Sequence, residues 1–488
     1  MRPRVASARC SDPSTTAAVA DDRQLPDDGP LAVLIVSGGD VVTMNADREV
    51  LVGGAVVIDG NAIVDVGSST ILGDRYPHAS VFDARGCVVT PGMIDAHQHL
   101  TGDPLLRCCI PDLLPPGDAI FEWSIPVHRV HDSVDDEVSA SLAAVEAVLN
   151  GVTTVIEAGT VTDVDAVARG LGAVGLRAAV GVWGWDIEDG PGAAPAAEVL
   201  ARQRATVDAY PPGGLVEGWV TLVGHDLASD ELLVGAADLA RELGTGMTMH
   251  LSPTSSDPER YLERTGRRPV EHLSDLGVLG RHLLIGHGVW LDDAEVDLVL
   301  SSDTALAYCP WAYLRLGQGV FANGRHAEIV ERGGRVGLGC DAANAGDSID
   351  VLRTAALAAG IARDARLAPT RFGAHQAFEL ATISGADAIG LADRIGSLEV
   401  GKQADLVVHR TDTPGWTPRG DVAMQLVWGT DGRTVRDVFI AGRQVVGDGR
   451  VLTVDTAELF ARAAEQHDGL VARAGLELQH TWPHRDAR

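Results

Sequence analysis

Between residues 88 and 395, eight short apolar runs alternate with Ala- and Leu-rich stretches of helical periodicity. The runs are GMIDAHQHL, GVTTVIEAG, RAAVGVWGWD, GWVTLVGHD, GTGMTMHLS, HLLIGHGVW, TALAYCPWA and RVGLGCDAA. Among the intervening stretches are SVDDEVSASLAAVEAVLN, where Ser133 reads as the N-cap, SDELLVGAADLARELG and DDAEVDLVLSS. Eight strands alternating with helices predict an α/β fold, a (β/α)8 TIM barrel over 88–395. A doubly wound open sheet is the competing arrangement.

The flanking segments have a different texture. Residues 31–87 and 396–454 are Val- and Ile-rich runs punctuated by Gly, Asn and Asp, the pattern of antiparallel strands and hairpins. They predict one composite β-sandwich formed by the N- and C-terminal segments and interrupted by the barrel. Residues 1–30, rich in Ala, Asp, Pro and Ser, read as a disordered leader without a signal-peptide core. Residues 455–488 read as a C-terminal helix and tail. Its helical part, 455–475, offers a surface to a neighbouring subunit, and a homo-oligomer is the expectation.

The formal charge of −29 (39 Lys and Arg against 68 Asp and Glu) argues against nucleic acid or an anionic membrane as partner, because phosphate binding needs basic patches. The six cysteines form no Cys-x-x-Cys pair, and several sit in apolar runs, which reads as free thiols in a reducing compartment. No run is long enough to span a membrane. A cytoplasmic protein is the expectation. The chain has a single lysine, Lys402; every other basic residue is an arginine.

The chemistry begins at PGMIDAHQHL, where His97 and His99 close the first run of the alternation. Residues two apart on a strand face the same side, so both imidazoles project into the C-terminal mouth of the barrel, where active sites of this fold lie. Two neutral imidazoles at that separation suit one cation. A lone H-x-H pair favours the plainer reading of polar residues at a strand end. His250, His287 and Asp341 alter that balance, since each closes another run, on candidate strands 5, 6 and 8. Below Asp341, Gly337 and Gly339 leave room for a ligand group to settle.

PGMIDAHQH, GVTTV, HGVWLDDAEVDLV, AYCPWAYLRLG, GLGCDAAN and GSLEVGKQADLVV together resemble the amidohydrolase superfamily, over nearly the whole chain after the leader. The stretches following strands 6, 7 and 8 are most similar to its deaminase and chlorohydrolase branch. The resemblance implies a metal-dependent hydrolase in which His97, His99, His250 and Asp341 bind one divalent metal per chain, zinc first, with Co²⁺, Mn²⁺ or Fe²⁺ as alternatives. It implies His287 and Asp341 as the catalytic pair. A bound metal lowers the pKa of water from about 15.7 to about 7; Asp341 then serves as general base, and His287 stabilises charge developing on the substrate. Relatives with two metals bridge them by a carboxylated lysine on strand 4. With Lys402 outside the barrel, only Glu157 or Glu217 is left as a bridge, and one metal is the expectation.

The chain departs from the branch in one place. A glutamate usually stands three residues after the strand-5 histidine and carries protons to the ring and the departing ammonia; here that position is Pro253. This favours cleavage of an amide, carbamate or urea-type C–N bond, as in the similar molinate and phenylurea hydrolases. The alternatives are an aminohydrolase or chlorohydrolase acting on a heteroaromatic ring, and a catalytically silent barrel that binds a partner. Trp183, Trp290, Trp311 and Tyr313 are expected to line a largely apolar pocket for a small molecule, with His225 reaching substrate. Taken singly, each aromatic is as well explained by loop packing. Arg315 is placed equally as a substrate contact or a surface residue. His128 and His131 read as a solvated pair, His272 as structural, GLGCDA as a chance dinucleotide-motif match, and no nucleophile elbow is present.

Overall fold

The computed structural model describes residues 33–187, 190–342, 345–483 and 485. The leader expected over 1–30 lies outside the described residues. Strands from both ends of the chain share one nine-stranded sheet. Leu34–Val42, Val50–Asp59 and Ala62–Ser68 pair antiparallel, and Cys87–Pro91 joins them to Leu406–Arg410 and Val435–Ile440. Alternating Val and Ile side chains bury one face, in a cluster that includes Val36, Val56, Val89, Leu406 and Phe439.

The central region forms two parallel sheets. β1 (Met93–Gln98), β2 (Val152–Glu157) and β3 (Arg177–Val180) pair in that order, with Val216–Gly218 at the edge. The second sheet runs β4 (Val220–Gly224), β5 (Met247–Leu251), β6 (Leu283–His287), β7 (Ala305–Tyr308) and β8 (Val336–Leu338). Only Trp219 separates the two sheets in the chain, and its buried indole packs on Gly246. At the other seam the Asp341 N–H donates to the His97 carbonyl at 2.9 Å, and the Cys340 N–H to the Asp95 carboxylate at 3.0 Å. These bonds bring the chain following β8 beside β1.

Helices between the strands carry their own stop and start signals. The helix Ser133–Leu149 is capped by Asp132, whose carboxylate accepts the Val134 and Asp135 N–H groups, so the N-cap lies one residue before the Ser133 expected. The helix Asp230–Leu243 begins at a Ser229 cap and ends at Gly244 in the left-handed region. A buried bidentate pair, Arg177 Nε and Nη2 to Asp405 Oδ2 and Oδ1 at 3.0 and 3.1 Å, clamps β3 to the nine-stranded sheet. The C-terminal helix Thr456–Ala474 packs against the chain's own helix Ser133–Leu149 and the turn Asp103–Leu106. No described helix is long and apolar enough to cross a membrane. Of the described cysteines, Cys87, Cys309 and Cys340 are buried and Cys108 is exposed, and all are free.

Candidate metal and substrate site

The ends of β1, β5 and β6 and the turn after β8 deliver His97, His99, His250, His287 and Asp341 to one buried point. His99 Nε2 lies 3.3 Å from His250 Nε2, and Asp341 Oδ1 lies 3.7 Å from His97 Nε2 and 3.5 Å from His99 Nε2. His250 Nδ1 is 2.7 Å from the Val223 carbonyl, an acceptor, so Nδ1 carries the hydrogen and Nε2 faces the cluster with its lone pair. Two glycines make room. A Cβ on Gly286 would stand 2.6 Å from the His97 ring, and one on Gly339 would stand 2.8 Å from His97 Cβ. The space expected above the strand-8 glycines is thus filled by His97.

Whether these residues suit a cation can be judged from their polar atoms. Both His97 ring nitrogens, His99 Nδ1 and His287 Nδ1 are buried with no hydrogen-bond partner, an unfavourable state for imidazole. The ligand atoms of His97, His99 and His250 lie within 4.8 Å of one another, as do those of His97, His287, Cys309 and Asp341. Three imidazoles and a carboxylate converging in this way fit a divalent metal of the zinc type. Burial holds His97 and His250 well below the ordinary imidazole value and His287 at about 4, so all three are neutral donors at pH 7. Burial opposes ionisation of Asp341, yet its hydrogen bond from His99, whose own pKa, against the opposing effect of burial, Asp341 and Asp103 raise to about 9, keeps it well below the usual carboxylate range.

Glu157 does not face the cluster as a bridge. Its oxygens accept the Gly159 N–H and the Thr160 N–H and hydroxyl at 2.7 to 2.9 Å. Glu217 is turned to Arg394 and the Gly213 N–H. Cys309 was legible only as a buried thiol. Its place at the end of β7 is the signal that would have put it near the cluster.

A cavity of about 280 Å³ opens above the cluster, with His99, His250, His287 and Asp341 in its floor. Trp183 and His225 line it as expected, joined by Trp185, Leu227, Ile120 and Phe121. The other three aromatics stand elsewhere. Trp290 donates through Nε1 to the Gln318 carbonyl at 2.8 Å. Trp311 lies under the Arg353 guanidinium, 4.8 Å from ring centroid to Cζ. Tyr313 is buried behind His287, its hydroxyl accepting the Cys309 N–H at 2.9 Å. Each is held by packing or a hydrogen bond outside the cavity. Arg315 pairs with Asp347 and Asp112.

Two other groups are tied into the structure in ways that the sequence alone does not show. His128 and His131 are buried rather than solvated: His131 Nδ1 faces Asp136 at 3.0 Å, and His128 lines the cavity beside Asp103. His225 Nδ1 lies 3.2 Å from Asp257 Oδ2, while the Ser252 N–H donates to the same oxygen at 2.7 Å. Burial opposes charge on Asp257, but His225 and these hydrogen bonds hold its carboxyl below the ordinary value. Pro253 lines the cavity close by. His272 pairs with Asp230 at 2.8 Å, consistent with a structural role.

Residues 88–445 match the Amidohydrolase family. A 5-methylthioadenosine/S-adenosylhomocysteine deaminase of Thermodesulfovibrio yellowstonii is 28% identical over 439 residues, covering 88% of this chain and 97% of the relative. A 5'-deoxyadenosine deaminase of Methanosarcina acetivorans is 28% identical over 455 residues, covering 91% and 100%. Among solved structures, a zinc-bound adenosine deaminase from Xanthomonas campestris superposes with a TM-score of 0.85 at 26% identity, covering 90% of this chain and 98% of that one. The zinc complex of an atrazine chlorohydrolase from Arthrobacter aurescens shares the fold, with a TM-score of 0.81 at 22% identity over 89% and 100% of the two chains.

Fold neighbours and sequence define a metal-dependent hydrolase acting on carbon–nitrogen bonds. The chain belongs to the Amidohydrolase family, and the sequence relatives named above are deaminases. These relatives give no support to the expected kinship with molinate and phenylurea hydrolases.

Proposed function

We propose that the protein is a heteroaromatic aminohydrolase, releasing ammonia from a 6-aminopurine nucleoside or a ring of similar shape. The two parallel sheets are, in this reading, the halves of one (β/α)8 barrel over 88–395, with 31–87 and 396–454 as the β-rich domain beside it. His97, His99, His250 and Asp341 hold a single divalent metal, zinc by the chemistry of the donor set. That metal supplies a Lewis acid and an activated water at neutral pH. Asp341 takes the proton from the attacking water, and His287 donates to the charge that develops on the ring.

The observation that carries the reading is the His225–Asp257 pair. Ring deamination needs a group that protonates a ring nitrogen and the departing amine, and Pro253 supplies none. His225 lines the cavity beside His250, with ring centroids 5.1 Å apart, and Asp257 engages its Nδ1. Nε2 is then left for substrate, an arrangement that suits a proton carrier in place of the missing glutamate. The apolar walls contributed by Trp183, Trp185 and Leu227 suit a flat ring with an apolar substituent.

Pro253 itself favours the second reading, hydrolysis of an amide, carbamate or urea. One assay separates the two. The zinc-loaded protein is offered adenosine, 5'-deoxyadenosine and 5-methylthioadenosine alongside phenylurea and thiocarbamate esters, with ammonia and amine release recorded. Ammonia from at least one aminopurine is the expected result. Turnover confined to the ureas or carbamates would overturn the proposal.

A further inference from the structure

The cavity roof is one short segment of the chain. Residues 116–128 form a run of short helical turns, from which Ile120, Phe121, Ser124, Ile125 and His128 line the cavity. Ile120 and Phe121 are 41% and 59% exposed, so the segment's cavity face is only partly packed. What holds it lies on its other face. Trp123, Ala119 and Ile110 are buried in a small apolar cluster, and Leu476, beyond the C-terminal helix, packs into that cluster.

Leu476 reaches the cluster through a defined turn. The helix Thr456–Ala474 ends at Gly475, φ 67°, with the Leu476 N–H donating to the Val471 carbonyl at 3.1 Å and the Gly475 N–H to that of Ala472 at 3.2 Å. This is the Schellman arrangement, in which the residue after the glycine makes an apolar contact. Here that contact falls on the roof. Within the same helix, His467 Nδ1 lies 2.6 Å from the Leu105 carbonyl, to which it donates, in the turn Asp103–Leu106 that brings Asp103 to the cavity. Leu470 is fully buried between these two contacts, and Arg473 pairs with the buried Asp135.

We propose that the C-terminal helix tightens the enzyme's hold on its substrate by bracing the cavity roof, with Leu476 and His467 as positioning residues. They touch neither the metal cluster nor the cavity. Their loss loosens Ile120, Phe121 and Asp103 against the substrate while the reacting groups on β1, β5, β6 and after β8 stay in place. The signature is a rise in KM with kcat kept. The kinetic part rests on the proposed deamination; the structural part does not.

The test uses the full zinc-loaded protein with Leu476→Ala and His467→Ala, Leu476→Met as the conservative variant, and Phe460→Ala on the exposed side of the helix as control. Amide hydrogen exchange over 116–128 is read without substrate, and kcat and KM are read on whichever aminopurine the unaltered protein deaminates. Exchange in 116–128 is expected to rise for both alanine variants, KM to rise about tenfold with kcat within about twofold, and Leu476→Met to restore both. Unchanged exchange in 116–128, or a loss of kcat with KM fixed, would overturn the brace. If Leu476→Ala does not fold, His467→Ala decides alone. If the unaltered protein releases ammonia from no aminopurine, the proposed function fails, and the exchange data still decide the brace.

Discussion

Asp341 stands with φ 65° and His287 with φ 78°, a region non-glycine residues seldom occupy. Each such residue costs on the order of 1–3 kcal/mol and persists where the surroundings over-determine it. At 341 the carboxylate accepts the Ala342 N–H at 2.7 Å and meets His97 and His99. Replacing Asp341 by Asn is expected to leave the fold intact while bound zinc and activity fall, activity by at least about 10³-fold if the carboxylate is both ligand and base. Metal analysis and turnover on the same preparation check this; full activity in that variant would remove Asp341 from the chemistry. His225→Gln carries a different expectation. Zinc content stays at the unaltered level while kcat drops by roughly 10²–10⁴-fold, the range for loss of a proton carrier. Simultaneous loss of zinc would show that the ring stacked on His250 serves the cluster instead.

At the scale of elements, two contacts join the nine-stranded sheet to the rest of the chain or tune its stability. Arg177 and Asp405 are both nearly inaccessible, and breaking a buried pair from one side leaves an uncompensated charge. Asp405→Ala is therefore expected to destabilise the protein by about 3–5 kcal/mol, read from denaturant unfolding. His409, on the strand Leu406–Arg410, lies between Thr90 and Thr434 hydroxyls at 3.2 and 3.3 Å, and burial lowers its pKa from 6.5 to about 4. Between those values the unfolded chain binds the proton and the folded chain does not. The stabilisation is complete above pH 6.5 and is lost as pH falls toward 4, on the order of 3 kcal/mol for this residue. Unfolding temperatures taken from pH 7 to pH 4 should fall less steeply in His409→Asn than in the unaltered protein. Parallel curves would contradict the assignment.

Across the whole molecule, what could be read in advance was set by periodicity. Strand-ending His97, His99, His250, His287 and Asp341 were legible because two-residue alternation and the position before a loop both show in one dimension. Trp290, Trp311 and Tyr313 also follow strands, yet their rings turn to Gln318, Arg353 and Cys309, and nothing local in the sequence encodes that choice. The burial of His128 and His131 depends on Asp136, Thr162 and Asp103 from other parts of the chain. The Asp257 partner of His225 was equally hidden, because the two lie 32 positions apart, His225 just after β4 and Asp257 in the first turn of the helix Ser256–Thr265. Pro253 alone weighs against ring deamination, and the His225–Asp257 pair, visible only in the fold, supplies the group that the proposed deamination needs.

The central claim is that one divalent metal binds where side chains from the ends of β1 and β5 and the turn after β8 converge. Anomalous diffraction at the zinc edge, from crystals of the zinc-loaded protein, tests it most directly. A single strong peak bounded by His97, His99 and His250 Nε2 and by an Asp341 carboxylate oxygen is the predicted result. A peak placed elsewhere, a second peak of equal strength bridged by Glu157 or Glu217, or no peak at the cluster would contradict it.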